Sequence, residues 1–343
     1  MDSVLLNTIN GKYSDRPPVW YMRQAGRVLP SYMKLREKYT FRQMMNDPEL
    51  AADVTLLPVY DLGTDAAILF SDILVIPDAM GMGLEFTDKG PVFNKPLKDS
   101  NNPLAELNPD PDKLNYIYDA IDAIIRKRPE NTPLIGFCGG PLTVLVYMIQ
   151  GLSTNHSFPD AVKFIYQNKK DTLKIIEIIT ELSVEYLKKQ AEHKADVFQL
   201  FETHAGLIPS DLYKEMFLPS VKKLYKTAAD LHLPFIFFPK GFGTALSTIT
   251  PEHCDYAGID WQTDIFYARK ILNPEIGIQG NLDPRLLFAD KKVISDKIES
   301  YIDFGKENKN WIFNLGHGFI PGIPFENALF LTEKIKNTDW KRN

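Results

Sequence analysis

Residues 171–202, DTLKIIEIITELSVEYLKKQAEHKADVFQLFE, hold the pattern that decides the fold. From Asp171 to Lys194 the apolar residues Leu173, Ile176, Ile179, Leu182, Tyr186 and Leu187 recur at three- and four-residue spacing, the stripe of a helix laid against a sheet. Directly after it comes ADVFQLFE (195–202), a short apolar run of the kind a buried strand requires. Working outward, seven similar runs appear between turn residues: PVWYM (18–22), AAILFSD (66–72), PLIGFC (133–138), PFIFFP (234–239), YAGIDW (256–261), IGIQGNL (276–282) and WIFNLGHG (311–318). Eight strand-then-helix units predict an α/β fold, a (β/α)8 (TIM) barrel forming a single domain over 1–343. An open doubly wound sheet usually opens on a glycine fingerprint, and no GxGxxG follows PVWYM. Asp47 before Pro48 and Asp283 before Pro284 mark helix starts, and the Pro- and Asp-rich stretch from Lys95 to Asp112 is read as a long barrel loop.

Barrels of this kind pack their interior with apolar side chains and confine chemistry to the C-terminal strand ends and the loops that follow. Sorting the polar residues by that rule collects Arg23, Arg27, Asp72, Gly139-Gly140, Glu202, Thr203, His204, Lys240, Asp260, Asn281, Asp283 and His317 at one mouth. Asp72 lies between two apolar runs. It could cap a helix, or its carboxylate could take hydrogen bonds from an N–H-rich or cationic ligand. His317, between Gly316 and Gly318, has no neighbouring side chains to keep a ligand from its ring; a structural turn histidine is the alternative.

Charge sharpens this picture. The chain carries −5 overall, yet its first 42 residues hold eight cationic against three anionic side chains. Lys is used about three times as often as Arg along the chain, while that opening stretch reverses the preference with Arg16, Arg23, Arg27, Arg36 and Arg42. A guanidinium is a planar fork that holds a carboxylate or phosphate bidentately, so the expected partner is an anion with planar oxygens; a solvated basic face is the alternative. An acidic chain without a recurring basic stripe argues against nucleic acid. Two cysteines, Cys138 and Cys254, cannot form a disulfide framework, and no His/Cys spacing suits a zinc site, so no metal is expected. With neither a signal-like opening nor an eighteen-residue apolar span, the expected setting is cytoplasmic, away from membranes.

With these residues in hand, PVWYMRQAGRVLPSYMKL (18–35) resembles the opening signature of the uroporphyrinogen decarboxylase family. The likeness continues in family order through FSDILVIPDAMGM from Phe70, GFCGGPLTVLVYM (136–148), LFETHAG (200–206), FPKG (238–241), GIDW (258–261), IQGNLDP (278–284) and NLGHG (314–318). The resemblance implies a single-domain barrel, a homodimer, and conversion of uroporphyrinogen III to coproporphyrinogen III in haem and other tetrapyrrole synthesis without metal or organic cofactor. It implies that Arg23, Gln24, Ala25, Gly26 and Arg27 form a substrate-binding stretch and that Asp72 is the central catalytic carboxylate. Tyr147, Thr203 and His317 match further substrate contacts, and Arg36 and Phe201 are additional candidates. Arg23, Arg27, Tyr147 and His317 join Asp72 as the residues expected to carry the catalysis. Two positions depart from the family pattern: Thr203 keeps the hydroxyl of a common Ser, and Leu142 stands where many members have Trp, which bears on the wall near Tyr147.

That chemistry explains the residue types. A tetrapyrrole with eight rim carboxylates gives arginines a bidentate partner, and its four inward pyrrole N–H groups give Asp72 its donors. Losing CO2 from an acetate leaves electrons that a ring-protonated pyrrole can absorb, so the substrate replaces a cofactor, and the charge of Asp72 stabilises that cation. A corrinoid- or thiol-dependent methyltransferase on a related barrel would need a His-x-Cys pair and a distant Cys, which the chain lacks. A non-catalytic tetrapyrrole carrier would share the arginines without needing Asp72.

Overall fold

The computed structural model describes residues 3–87, 90–151 and 157–342. Among the described residues there are nine strands: β1 (Ala67–Ile68), β2 (Leu84–Thr87), β3 (Gly90–Phe93), β4 (Leu134–Gly139), β5 (Val197–Glu202), β6 (Phe235–Pro239), β7 (Tyr256–Gly258), β8 (Gly277–Gln279) and β9 (Trp311–Ile312). Seven form one parallel sheet in the order β1-β4-β5-β6-β7-β8-β9, with helices between successive strands. β4 and β6 are buried at every residue, as strands covered on both faces must be.

The first predicted strand, Pro18–Met22, is reduced to a single bridge between Val19 and Phe313, because Pro17 and Pro18 bring no backbone donor to a ladder. That segment nonetheless closes the barrel. Phe313 N donates to Pro18 O at 2.9 Å on one side and Asp65 N to Val19 O at 2.8 Å on the other. Below it, Arg16 forks onto Asp65 at 2.6 and 2.8 Å. Inside, Trp20 Nε1 donates to Gln279 Oε1 and Gln279 Nε2 to Gln199 Oε1, both at 3.1 Å, a polar ladder linking the closing segment, β8 and β5.

The long helix runs Lys169–Glu192 against the expected Asp171–Lys194, and Lys194 itself takes a left-handed φ of 74°. Ile176, Ile179, Leu182, Tyr186 and Leu187 are buried as their spacing requires, while Leu173 is exposed. Asp47 accepts from Glu49 N and Leu50 N at 3.0 Å each. Asp283 caps only a 3-10 turn, Pro284–Phe288. The Lys95–Asp112 stretch contributes short 3-10 turns that bury Leu97.

The antiparallel hairpin β2–β3 is absent from the sequence reading, since Glu85, Asp88, Lys89 and Gly90 obscure any alternation there. Phe86 lays its ring on Phe41 at 4.6 Å, and Phe41 packs on Phe70 at 4.9 Å, which brings the hairpin over the C-terminal end of β1.

Candidate functional site

A cavity of about 550 Å³ opens at the C-terminal ends of the strands. Its floor is aromatic: Phe137 meets Phe201 edge-on at 5.5 Å, and Phe201 meets Phe238 at 6.3 Å. Arg23, Ala25, Gly26, Arg27, Asp72, Phe201, Thr203 and His317 all line it, so most of the residues singled out from sequence share one space.

Arg23 is the first residue past the closing segment, and its φ of 60° is a left-handed geometry uncommon outside glycine. Its neighbourhood is pinned: Met22 N donates to Asn314 Oδ1 at 3.1 Å and Phe319 N to Met22 O at 3.0 Å. Gly318 leaves room for the Arg23 stem, which a Cβ at that position would strike. Among the described residues neither Arg23 nor Arg27 has a hydrogen-bond or ion-pair partner for its guanidinium, so their donors face the cavity unspent. The other arginines of the opening stretch are committed. Arg16 is paired with Asp65, Arg42 with Asp78 at 2.8 Å, and Arg36 donates to Tyr39 O at 2.9 Å. Arg36 therefore stands outside the cavity wall, although its charge reaches Tyr32, a lining residue.

Gln24 differs from its neighbours. It is fully buried, its Oε1 accepts from Tyr21 N at 3.0 Å and its Nε2 donates to Ala66 O at 2.9 Å. Both ends of the amide serve the backbone, and Gln24 is not among the residues that line the cavity, unlike Ala25 and Gly26 beside it.

Asp72 is half-buried at the cavity wall, and its Oδ1 accepts from Leu74 N at 2.8 Å. No donor among the described residues meets its other oxygen. Burial raises the Asp72 carboxyl above its ordinary value, while the Leu74 N–H and the Arg23 charge pull the other way. His317 Nδ1 accepts from Gly318 N at 2.7 Å. Tyr147, on the helix Pro141–Gln150, packs on Phe158 and His204 at 5.1 and 5.6 Å. It stands behind the lining residues, and burial raises its phenol, with the Asp72 charge adding and the Arg23 charge opposing. Leu142 is wholly buried in the same helix.

Glu202, collected at the mouth by its place on β5, turns away from it. Its carboxylate accepts from Leu142 N at 3.1 Å, Thr143 N at 2.7 Å, Thr143 Oγ1 at 2.5 Å and the Tyr213 hydroxyl at 3.1 Å. It thereby serves the start of the helix Pro141–Gln150, and burial pushes it up to about 7 against the pull of those donors. His253 is buried too, its Nδ1 accepting from Thr250 N at 3.0 Å, whereas His156 lies outside the described residues.

Several lining residues escaped the sequence reading: Tyr32, Phe41 and Phe70, and Thr87 and Gly90 of the hairpin. Phe238 was discoverable in principle, since β5 and β6 pair Phe201 with Phe238 and side-by-side residues of parallel strands share a face. Among the described residues no group of three His, Cys, Asp or Glu side chains is placed to hold a metal ion.

An aromatic floor, two uncommitted guanidiniums and a raised carboxyl with one open oxygen thus share one cavity at the mouth of a barrel protein. Residues 2–338 match the family model described as uroporphyrinogen decarboxylase, and the chain belongs to that family. A uroporphyrinogen decarboxylase of Pelobacter propionicus is 40% identical over 98% of this chain and 98% of its own length. One from Geobacter metallireducens is 38% identical over 99% and 100%. Among solved structures, a methyltransferase from Methanosarcina mazei superposes with a TM-score of 0.76 over 98% of this chain and 99% of its own, at 17% identity, a likeness of fold alone.

Proposed function

We propose that this chain removes the carboxyl groups of the four acetate side chains of uroporphyrinogen III, giving coproporphyrinogen III for haem synthesis, and that residues 1–343 act as one barrel unit. The observation that carries the reading is the shared cavity in which Asp72 keeps one oxygen open while Arg23 and Arg27 keep their donors unspent.

In each cycle a pyrrole ring carbon takes up a proton, making the ring cationic. The bond between the acetate methylene and its carboxylate then breaks, CO2 leaves, and the electron pair neutralises the ring as an exocyclic double bond. Protonation of that methylene gives the methyl group, and loss of the ring proton restores the pyrrole. The net change is one proton consumed and one CO2 released, so the substrate supplies its own electron sink and no added cofactor is called for.

Asp72 accepts the pyrrole N–H groups with its open oxygen and stabilises the cationic ring through its charge, in a cavity where water screens little. Burial opposes that charge and raises the carboxyl, and the Leu74 N–H and Arg23 offset part of that rise. Arg23 and Arg27 grip rim carboxylates and orient the departing one; as acids they are poor, with guanidinium pKa values above ~12. Thr203, Phe201, Ala25 and Gly26 shape the wall, and Arg36 meets an outer acid by way of its remaining donors. His317, on the cavity wall, and Tyr147, behind it and within reach of the Asp72 charge, complete the set of residues assigned to catalysis. A homodimer in the cytoplasm completes the reading; no helix among the described residues is long and apolar enough to cross a membrane.

Anaerobic incubation with uroporphyrinogen III, with products resolved by carboxyl count, tests the proposal. Conversion of eight-carboxyl substrate to four-carboxyl product without added cofactor is expected. Binding without loss of carboxyls would point to a carrier instead.

A further inference from the structure

Arg23 and Arg27 enter the cavity from the closing segment, and the opposite wall is supplied by β6, four places round an eight-membered barrel. On β6, Phe238 lines the cavity. β6 ends at Pro239, and Lys240 is the first residue past its C-terminal end, two residues beyond Phe238 and just outside the residues that line the cavity. Phe201 pairs with Phe238 and Glu202 with Pro239, and Lys240 N donates to Glu202 O at 3.1 Å, which sets Lys240 at the mouth beside the end of β5 and the cavity-lining Thr203.

The Lys240 ammonium is seated over Trp261, 5.5 Å from the ring centroid. The same indole meets the ring of His317 edge-on at 6.0 Å, and His317 is part of the cavity wall. Arg285 also lies over Trp261, at 5.4 Å, but its guanidinium is spent on Asp283 at 2.6 Å. Lys240 has no such partner: among the described residues no carboxylate lies within ion-pair distance of it. A half-buried ammonium held by an aromatic face and left without a counterion is a binding group in want of an anion.

From this geometry we infer that Lys240, seated on Trp261, is a further substrate-binding residue that holds a carboxylate of the macrocycle on the wall opposite Arg23 and Arg27. The inference rests on the decarboxylase reading above. A ring with acids on all four sides cannot be centred on Asp72 by cations from one side alone, and Lys240 supplies the opposing grip. It also presents each successive ring to Asp72 at the same depth, because a point charge on a flexible stem tolerates an acetate or a propionate alike.

The test compares Lys240→Met, Lys240→Arg and the surface variant Lys226→Met with the unmodified chain, measuring kcat and KM for uroporphyrinogen at two ionic strengths. Lys240→Met is expected to raise KM about tenfold, equivalent to one charge-assisted contact, with kcat changed by less than about threefold. Lys240→Arg should restore most of the affinity, and Lys226→Met should match the unmodified chain. The KM penalty of Lys240→Met should shrink at high salt. An unchanged KM in folded Lys240→Met, or a KM rise equalled by Lys226→Met, would overturn the assignment. Should Lys240→Met fail to fold, Lys240→Gln is read by the same criteria. If the unmodified chain does not decarboxylate uroporphyrinogen, it is the functional reading that fails; if it does and KM ignores Lys240, only this inference falls.

Discussion

Two carboxylates at the ends of barrel strands one place removed, with β4 between them, are both pushed up by burial and differ in what surrounds them. Asp72 follows β1 and Glu202 ends β5, and burial raises both. Glu202 is surrounded by four donors from Leu142, Thr143 and Tyr213, and every lone pair it can use is spent inside the fold. Asp72 receives one donor, from Leu74, and faces a cavity with the rest of its capacity open. Burial alone therefore does not separate the two; the number of donors the protein itself provides does, and it leaves only Asp72 with capacity for a ligand. The arginines repeat the lesson, with Arg16 and Arg42 committed to Asp65 and Asp78 while Arg23 and Arg27 are left for a ligand.

The sharpest way to break this contrast is to neutralise Asp72. Asp72→Asn keeps the shape and the Leu74 contact but removes the charge, and steady-state assay should show kcat down by about 10³-fold with the melting temperature within a few degrees of the unmodified chain. A lesser effect of another kind is expected at Glu202. Glu202→Ala leaves buried N–H donors of Leu142 and Thr143 without acceptors, so urea unfolding should report a loss of about 3 kcal/mol, while kcat per folded molecule stays within about threefold.

Arg27→Lys preserves charge and loses the fork. KM for uroporphyrinogen should rise about tenfold, and an unchanged KM would rule out bidentate recognition there. The mildest change is in pH dependence. Because burial raises the Asp72 carboxyl, the acid limb of kcat/KM should lie above the ordinary range for an aspartate. Arg23 holds that carboxyl down, so Arg23→Gln should move the limb of the residual activity to higher pH; movement to lower pH would mean another group controls it.

Much of the fold was legible because buried parallel strands write themselves as continuous apolar runs, as in PLIGFC and PFIFFP. Pro18–Met22 reads as a strand, yet its closure runs through three backbone bonds to Phe313 and Asp65 and through the Asp65 side chain. The β2–β3 hairpin was hidden by its charges and glycine. Within the site, sequence position along a strand end named Arg23, Arg27, Asp72, Thr203 and His317, yet could not separate Asp72 from Glu202 or Arg27 from Gln24. Those distinctions depend on where partners such as Leu142, Tyr213 and Ala66 arrive in space, 60, 11 and 42 residues away in the chain.

A crystal structure of the chain with coproporphyrinogen III bound would test the central claim most directly. The pyrrole nitrogens are expected within about 3.2 Å of the Asp72 carboxylate, with rim acids on Arg23 and Arg27. A macrocycle seated with its nitrogens turned from Asp72, or with its acids against that residue, would contradict it.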